Sequence, residues 1–298
     1  MDERDWALLV LLSILWGGSF FFNGVAVREL PPFTIVLARV TIAAVLLLPV
    51  LWAQGAKGAR LPESPAGWLP FLVMGLLNNV IPFSLIVCGQ TLIASGTASV
   101  LNATTPLFTV LVMAAAGDEP LAARRLVGVL AGLLGVIILR GQGLEFAGAE
   151  TLGMLLCLAG ALSYGFSGLW GRRKLTGVPP LTSATCQLVA SSVVMLLLAG
   201  VVERPWLLPV PSLRTWLALL ATAALSTALA YVVFFQILVR SGATNVMLVT
   251  LLIPVTAILL GHFVLGEPLA AREIIGALVI GGALLIVDGR ALRLLRPA

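Results

Sequence analysis

Apolar residues in this chain come in long continuous runs, which polar and charged residues punctuate instead of alternating with them. Such runs lack the ten-residue, period-two alternation of a membrane β-barrel and are too long for buried strands. A helix that crosses a bilayer takes roughly 20 mostly apolar residues, because each adds about 1.5 Å across a hydrocarbon core about 30 Å thick. Read this way, the runs predict helices over residues 6–26, 33–52, 68–88, 92–116, 121–139, 151–171, 180–201, 214–236, 243–265 and 272–289. The expected fold is an all-α polytopic membrane protein with ten transmembrane helices, the fifth and tenth being the shortest runs.

The pattern is written twice. Residues 117–128 read G-D-E-P-L-A-A-R-R-L-V-G and residues 265–276 read L-G-E-P-L-A-A-R-E-I-I-G, so that Glu119 and Glu267 stand 148 positions apart in a chain of 298. At the same offset Pro31-Pro32-Phe33-Thr34 answers Pro179-Pro180-Leu181-Thr182, Pro106 answers Pro254 and Gly128 answers Gly276. Gln90 and Ser95-Gly96 answer Gln236 and Ser241-Gly242 after a two-residue gap. This is an internal duplication, with a first five-helix repeat over 1–147 and a second over 148–298. An odd number of spans turns the second repeat upside down, and inverted repeats are a hallmark of secondary transporters.

Composition narrows the picture. Hydrophobic residues make up 60% of the chain and charged residues 10%, against about a quarter charged in soluble domains, so lipid is the natural solvent. The net charge of +5 does not build a nucleic-acid patch, because the basic residues sit in short loops and act as topology signals. With the N-terminus inside, Arg4, Lys57, Arg60, Arg124, Arg125, Arg172, Arg173, Lys174, Arg240, Arg290, Arg293 and Arg296 face the cytoplasm. Only Arg28, Arg140, Arg204, Arg214 and Arg272 face outward. Both termini are therefore expected in the cytoplasm of a bacterial inner membrane, with the first span retained as a helix. Cys88, Cys157 and Cys186 match no metal or disulfide spacing and are read as small packing residues.

The L-W-G-G-S-F stretch in the first span, the mid-helix prolines Pro106 and Pro254 and the doubled E-P-L loops give the chain a resemblance to the drug/metabolite transporter superfamily, specifically its EamA-type members. The resemblance covers both halves. It implies an exporter of small metabolites, with bacterial amino-acid exporters of the YddG type the members it most suggests.

The residues that could carry transport are polar or helix-breaking positions inside the spans. Pro106 and Pro254 each free a backbone carbonyl, and paired interruptions point to a substrate site, although a plain packing kink is the alternative. Asn102 precedes Pro106 and Thr250 precedes Pro254. Pro82 follows Asn78 and Asn79, which are costly in hydrocarbon unless they face protein or water. Asn79 is assigned to the cavity and Asn78 to a neighbouring helix. Ser163, Tyr164 and Ser167 form a polar patch in the sixth span, and Tyr231 is the only other tyrosine. Trp16 is read either as packing or as an aromatic wall for a substrate side chain, Ser19 adds a hydroxyl beside it, and Trp16, Phe83 or Tyr164 would line the side-chain pocket of an amino acid. Arg39, a full charge inside a span whose repeat partner is Gln187, either snorkels outward or pairs with a substrate carboxylate or a helix C-terminus. His262, the only histidine, is either interfacial or a proton carrier.

All thirteen acidic residues lie in loops or near span ends, which leaves no intramembrane carboxylate relay. A facilitator is expected over a proton antiporter. The scarcity of buried basic residues disfavours phosphorylated substrates and favours neutral or zwitterionic metabolites, amino acids first. Other metabolites or drugs are the alternative, and a non-transport assembly protein is a remote one. No catalytic motif, cofactor or metal site is read from the sequence, and a monomer in the bilayer is expected.

Overall fold

The structure is a computed structural model that describes residues 2–53, 61–141, 148–246 and 248–288. Lys57, Arg60, Arg290, Arg293 and Arg296, the seam at residue 147 and the last residue of the expected tenth helix lie outside the described residues. The regular structure is helical, with no strand among the described residues. The helices are α1 (Glu3–Ala26), α2 (Pro32–Ala53), α3 (Pro65–Gln90) and α4 (Ser95–Ala115). They continue as α5 (Ala123–Arg140), α6 (Ala149–Lys174), α7 (Pro180–Val202) and α8 (Leu213–Ser241). The last two are α9, in two pieces (Ala243–Val246 and Val249–Leu265), and α10 (Ala271–Asp288).

Seven of these, α1 to α4 and α6 to α8, are long and apolar enough to cross a membrane, and the longer piece of α9 is a shorter apolar helix. Helices α5 and α10 have 18 residues each, with charged residues at their ends. Val45, Leu133, Ile137, Leu197, Phe263 and Leu278 are among many large apolar side chains on the exterior. An apolar surface of that extent has no place in water. The protein is a multi-pass membrane protein.

The helix starts follow local chemistry. Asp2 and Asp5 form a reciprocal capping box at the head of α1. Pro32 and Pro180 occupy the first position of α2 and α7, where the missing N–H costs nothing. Ser64 and Ser212, 148 positions apart, cap α3 and α8 through their side chains.

The duplication also reaches a feature that hydropathy does not reveal. Helix α3 widens to a π-turn at Leu76–Val80, and α8 does so at Ala224–Leu229, which is the same place at the offset of 148. Pro82, two residues past the first π-turn, lacks the N–H that would hold a regular turn there. The corresponding Ala230 has an N–H, so proline is not required for the widening.

The two repeat-related prolines behave differently. Helix α4 is interrupted at Ala103–Thr104, and the next helical piece starts at Thr105 with Pro106 in its first turn. Pro254 is instead buried inside the continuous segment Val249–Leu265, and Leu248 lies in a turn just ahead of that segment. The two prolines therefore stand differently in their helices, Pro106 in the first turn of a piece and Pro254 within one. The offset conserves the residue and not the position of the break.

Polar contacts sort the loops into two ends. At one, Glu203 accepts from the backbone N–H groups of Phe33 and Thr34 at 2.9 and 2.6 Å. At this end too, Glu29 accepts from Ser212, and Glu267 from Ser95. At the other, Arg173 pairs with Asp118, Arg172 with Glu119 at 2.7 Å, and Arg240 with Asp5 at 3.0 Å. Between the ends lie two apolar cores. One is built mainly from α1, α4, α6, α8, α9 and α10, the other from α2, α3, α7 and α8, and Tyr164 packs against both.

Candidate functional site

The polar side chains between the two cores form one connected network. Asn79 has no exposed surface; its amide nitrogen donates to the Ser191 hydroxyl at 3.1 Å and its oxygen accepts from the Tyr231 hydroxyl at 3.1 Å. Asn78, half-buried, donates to the Gln187 side-chain oxygen at 3.0 Å and to the Tyr231 hydroxyl at 3.2 Å, and its oxygen accepts from Ser167. Ser163 donates to the Leu77 carbonyl at 2.7 Å, which satisfies a backbone acceptor inside the π-turn. Helices α3, α6, α7 and α8 thus contribute to a single cluster drawn from both halves of the chain. The π-turn brings Asn78 and Asn79 to the cluster together, where both bond to neighbouring helices and Asn78 is the more open of the two.

Close packing sets the geometry. A Cβ at Gly75 would stand 2.7 Å from the Ser191 hydroxyl and 2.8 Å from the Gln187 carbonyl, so only glycine lets α7 come this near α3.

Arg39 lies beside the network. It is buried, its Nε donates to the Thr227 hydroxyl at 2.9 Å, and its guanidinium sits 3.7 Å from the centre of the Phe83 ring. The snorkelling expectation is corrected, since the side chain turns inward onto the π-turn of α8. Among the described residues no carboxylate pairs with it. A buried cation without a counter-charge is costly, and the contact with an aromatic face recovers only part of that cost.

The structure brings together Asn79, Ser163, Tyr164, Ser167 and Tyr231, with Arg39 and Phe83 adjoining. Pro82 is buried beside Phe83. Other candidates stand elsewhere. Trp16 is half-buried, with its ring centre 5.5 Å from that of Phe234. Ser19 donates to the Trp16 carbonyl in its own helix at 2.7 Å. Asn102 is half-buried, its side-chain oxygen enclosed with no hydrogen-bond partner among the described residues. Thr250 is half-buried, four residues before Pro254. His262 is exposed, with Nδ1 3.0 Å from the Glu267 carbonyl oxygen, far along the chain from the network.

Sequence reasoning missed Gln187, Ser191 and Thr227 as parts of the site. The repeat offset was the available signal, because it carries Arg39 onto Gln187 and Asn79 onto Thr227.

Comparison with known proteins identifies the scaffold. The EamA-like transporter family matches residues 5–141 and again residues 151–287. The chain belongs to this family. The inner membrane transporter YedA of Escherichia coli (strain K12), itself named as uncharacterized, is 29% identical over 94% of this chain and 89% of its own. The uncharacterized transporter YoaV of Bacillus subtilis (strain 168) is 25% identical over 91% of this chain and 92% of its own. A protein of Escherichia coli (strain K12) named a probable amino-acid metabolite efflux pump is 25% identical over 94% and 93%. A crystal structure superposes with a TM-score of 0.67 at 22% identity, covering 98% of this chain and 99% of the other, which establishes the fold. This EamA-family protein is thus a multi-pass transporter of the inner membrane, and the buried network is its candidate substrate site.

Proposed function

We propose that this transporter exports small zwitterionic or neutral metabolites, amino acids foremost, through a central cavity between two inverted five-helix repeats. In this reading all ten helices cross the membrane, both termini are cytoplasmic, and the protein works as a monomer by alternating access. The observation that carries the reading is the network of amides and hydroxyls where helices of both halves meet, with Arg39 beside it and, among the described residues, without a carboxylate partner. Amides and hydroxyls hold an uncharged or zwitterionic head without excess charge, and a guanidinium offers two parallel donors to one carboxylate. Tyr164, Phe83 and Tyr231 supply apolar faces for the remainder. The amino-acid efflux pumps among the relatives support the same substrate class.

A facilitator driven by the substrate gradient fits the absence of acidic side chains from the middle of the described helices. His262, exposed and at the Glu267 end, is poorly placed to relay protons to the network.

The test is export of an amino-acid panel from cells or proteoliposomes bearing the protein, with Tyr164→Ala and Arg39→Gln as controls. Loss of export of at least one amino acid in Arg39→Gln, at unchanged abundance, is the expected result. No export of any panel member by the unaltered protein would sink the proposal. Transport that stops when the pH gradient is abolished would replace the facilitator with a proton antiporter.

A further inference from the structure

Arg39 and Gln187 are equivalent positions at the offset of 148, each seven residues into its helix, α2 or α7. Each rests on the π-turn of a helix from the other half. Arg39 donates to Thr227 in the π-turn of α8, and Gln187 accepts from Asn78 in the π-turn of α3. The site therefore has two poles built on one plan, one cationic and one neutral.

Both poles keep donors uncommitted. The two terminal nitrogens of Arg39 and the amide nitrogen of Gln187 make no hydrogen bond among the described residues, and none of them is among the fully enclosed atoms, so each keeps some open surface on an otherwise buried residue. Uncommitted donors that keep open surface on otherwise buried residues are places where water or a ligand can be held, and two such places suit a ligand with two acceptors. The chemistry of the poles says which kinds. A guanidinium matches a carboxylate, whereas a carboxamide donates to a carbonyl or hydroxyl and cannot compensate a second negative charge in a low-dielectric interior.

We propose that Gln187 is the second, uncharged pole of the substrate site and that it decides charge selectivity: the site takes monocarboxylates carrying a further uncharged oxygen, such as amino acids with amide or hydroxyl side chains, and rejects dicarboxylates. This rests on the transport reading above and adds the substrate class. Residue 187 sets the charge accepted at its end, as residue 39 does at the other.

Proteoliposome uptake of L-glutamine, L-glutamate and L-methionine separates the possibilities, because the three are similar in size and differ at one end. The unaltered protein is expected to favour glutamine over both others by about tenfold or more, in line with what an unpaired buried polar group imposes on selectivity. Gln187→Leu lowers glutamine to the level of methionine while glutamate stays rejected. Gln187→Arg raises glutamate to parity with glutamine or above it. The exchange variant Arg39→Gln with Gln187→Arg keeps one cation in the site and restores the preference for glutamine. Retained methionine transport shows in each case that the variant is folded. A Gln187→Arg protein that moves methionine normally and still favours glutamine over glutamate tenfold overturns the inference and leaves the transport reading standing. An unaltered protein that moves none of the three overturns both.

Discussion

Glu267 and Glu119 hold the same place in the doubled hexapeptide, yet their carboxylates meet different partners. Glu267 reaches across to the other half of the chain and accepts the Ser95 backbone N–H with both oxygens, at 3.1 and 3.0 Å. Glu119 stays among arginines, 2.6 Å from Arg125 and 2.7 Å from Arg172. The starts of the two repeat-related helices differ as well. Residues Ser95–Leu101 of α4 are all buried, whereas at the corresponding start of α9 Asn245 and Leu248 remain half-buried beside buried Val246 and Val249. Room is part of the reason: a Cβ on Gly261 would collide with a Glu267 carboxylate oxygen, so glycine is what admits the clasp. Two copies of one sequence thus occupy two local conformations in one structure. Unequal ends of this kind are what the proposed alternating access requires of its two halves.

The sharpest way to break the contrast is Glu267→Ala. Removing a charged acceptor from a backbone donor at a closed helix start is expected to cost about 1–3 kcal/mol. Denaturation in detergent measures it, and a loss no larger than that of Glu119→Ala would erase the distinction between the loops.

Gly261→Ala comes next, at about 1–2 kcal/mol, because the added methyl displaces the same carboxylate. Combined with Glu267→Ala it should add little, since the two changes act on one contact. Full additivity in the double variant would show that Gly261 serves something else.

Glu119→Ala is expected to cost about 0.5 kcal/mol or less, because its ion pairs are partly exposed, and the loss should shrink further in high salt.

The smallest effect concerns pH. Hydrogen bonds from Arg173 hold the Asp118 carboxyl below its ordinary range, and those from Arg125, then Arg172, do the same for Glu119. A carboxyl whose folded pKa is depressed stabilises the protein above its unfolded pKa and loses that contribution as pH falls through the folded value. The difference in melting temperature between the unaltered protein and an Asp118→Asn, Glu119→Gln variant should therefore be constant near neutrality and vanish under acid conditions. A difference that grows on acidification would contradict the pairing.

Much of the fold was legible in the chain. Hydropathy places every helix to within a few residues, because lipid demands long apolar helices whatever their neighbours. The duplicated motif announced equivalent halves, and the mid-span polar residues Asn79, Ser163, Ser167 and Tyr231 marked the network. What escaped was register. No periodicity reveals the π-turns at Leu76–Val80 and Ala224–Leu229, which turn Asn78 and Thr227 toward their partners. The expectation that Arg39 would snorkel failed because Phe83 and Thr227 stand where it can reach them from inside the fold.

By itself the sequence determined membrane residence, helix positions, the family and the repeat, since each follows from residue type and spacing along one dimension. Only the tertiary structure decided that Glu267 clasps α4 while Glu119 pairs with arginines, that α4 breaks just ahead of Pro106 while α9 runs through Pro254, and that Arg39 and Gln187 each rest on a π-turn of the other half. These depend on which surfaces meet. Identical hexapeptides face different neighbours once the chain has folded, and the energy of a carboxylate or a guanidinium is set by what stands beside it.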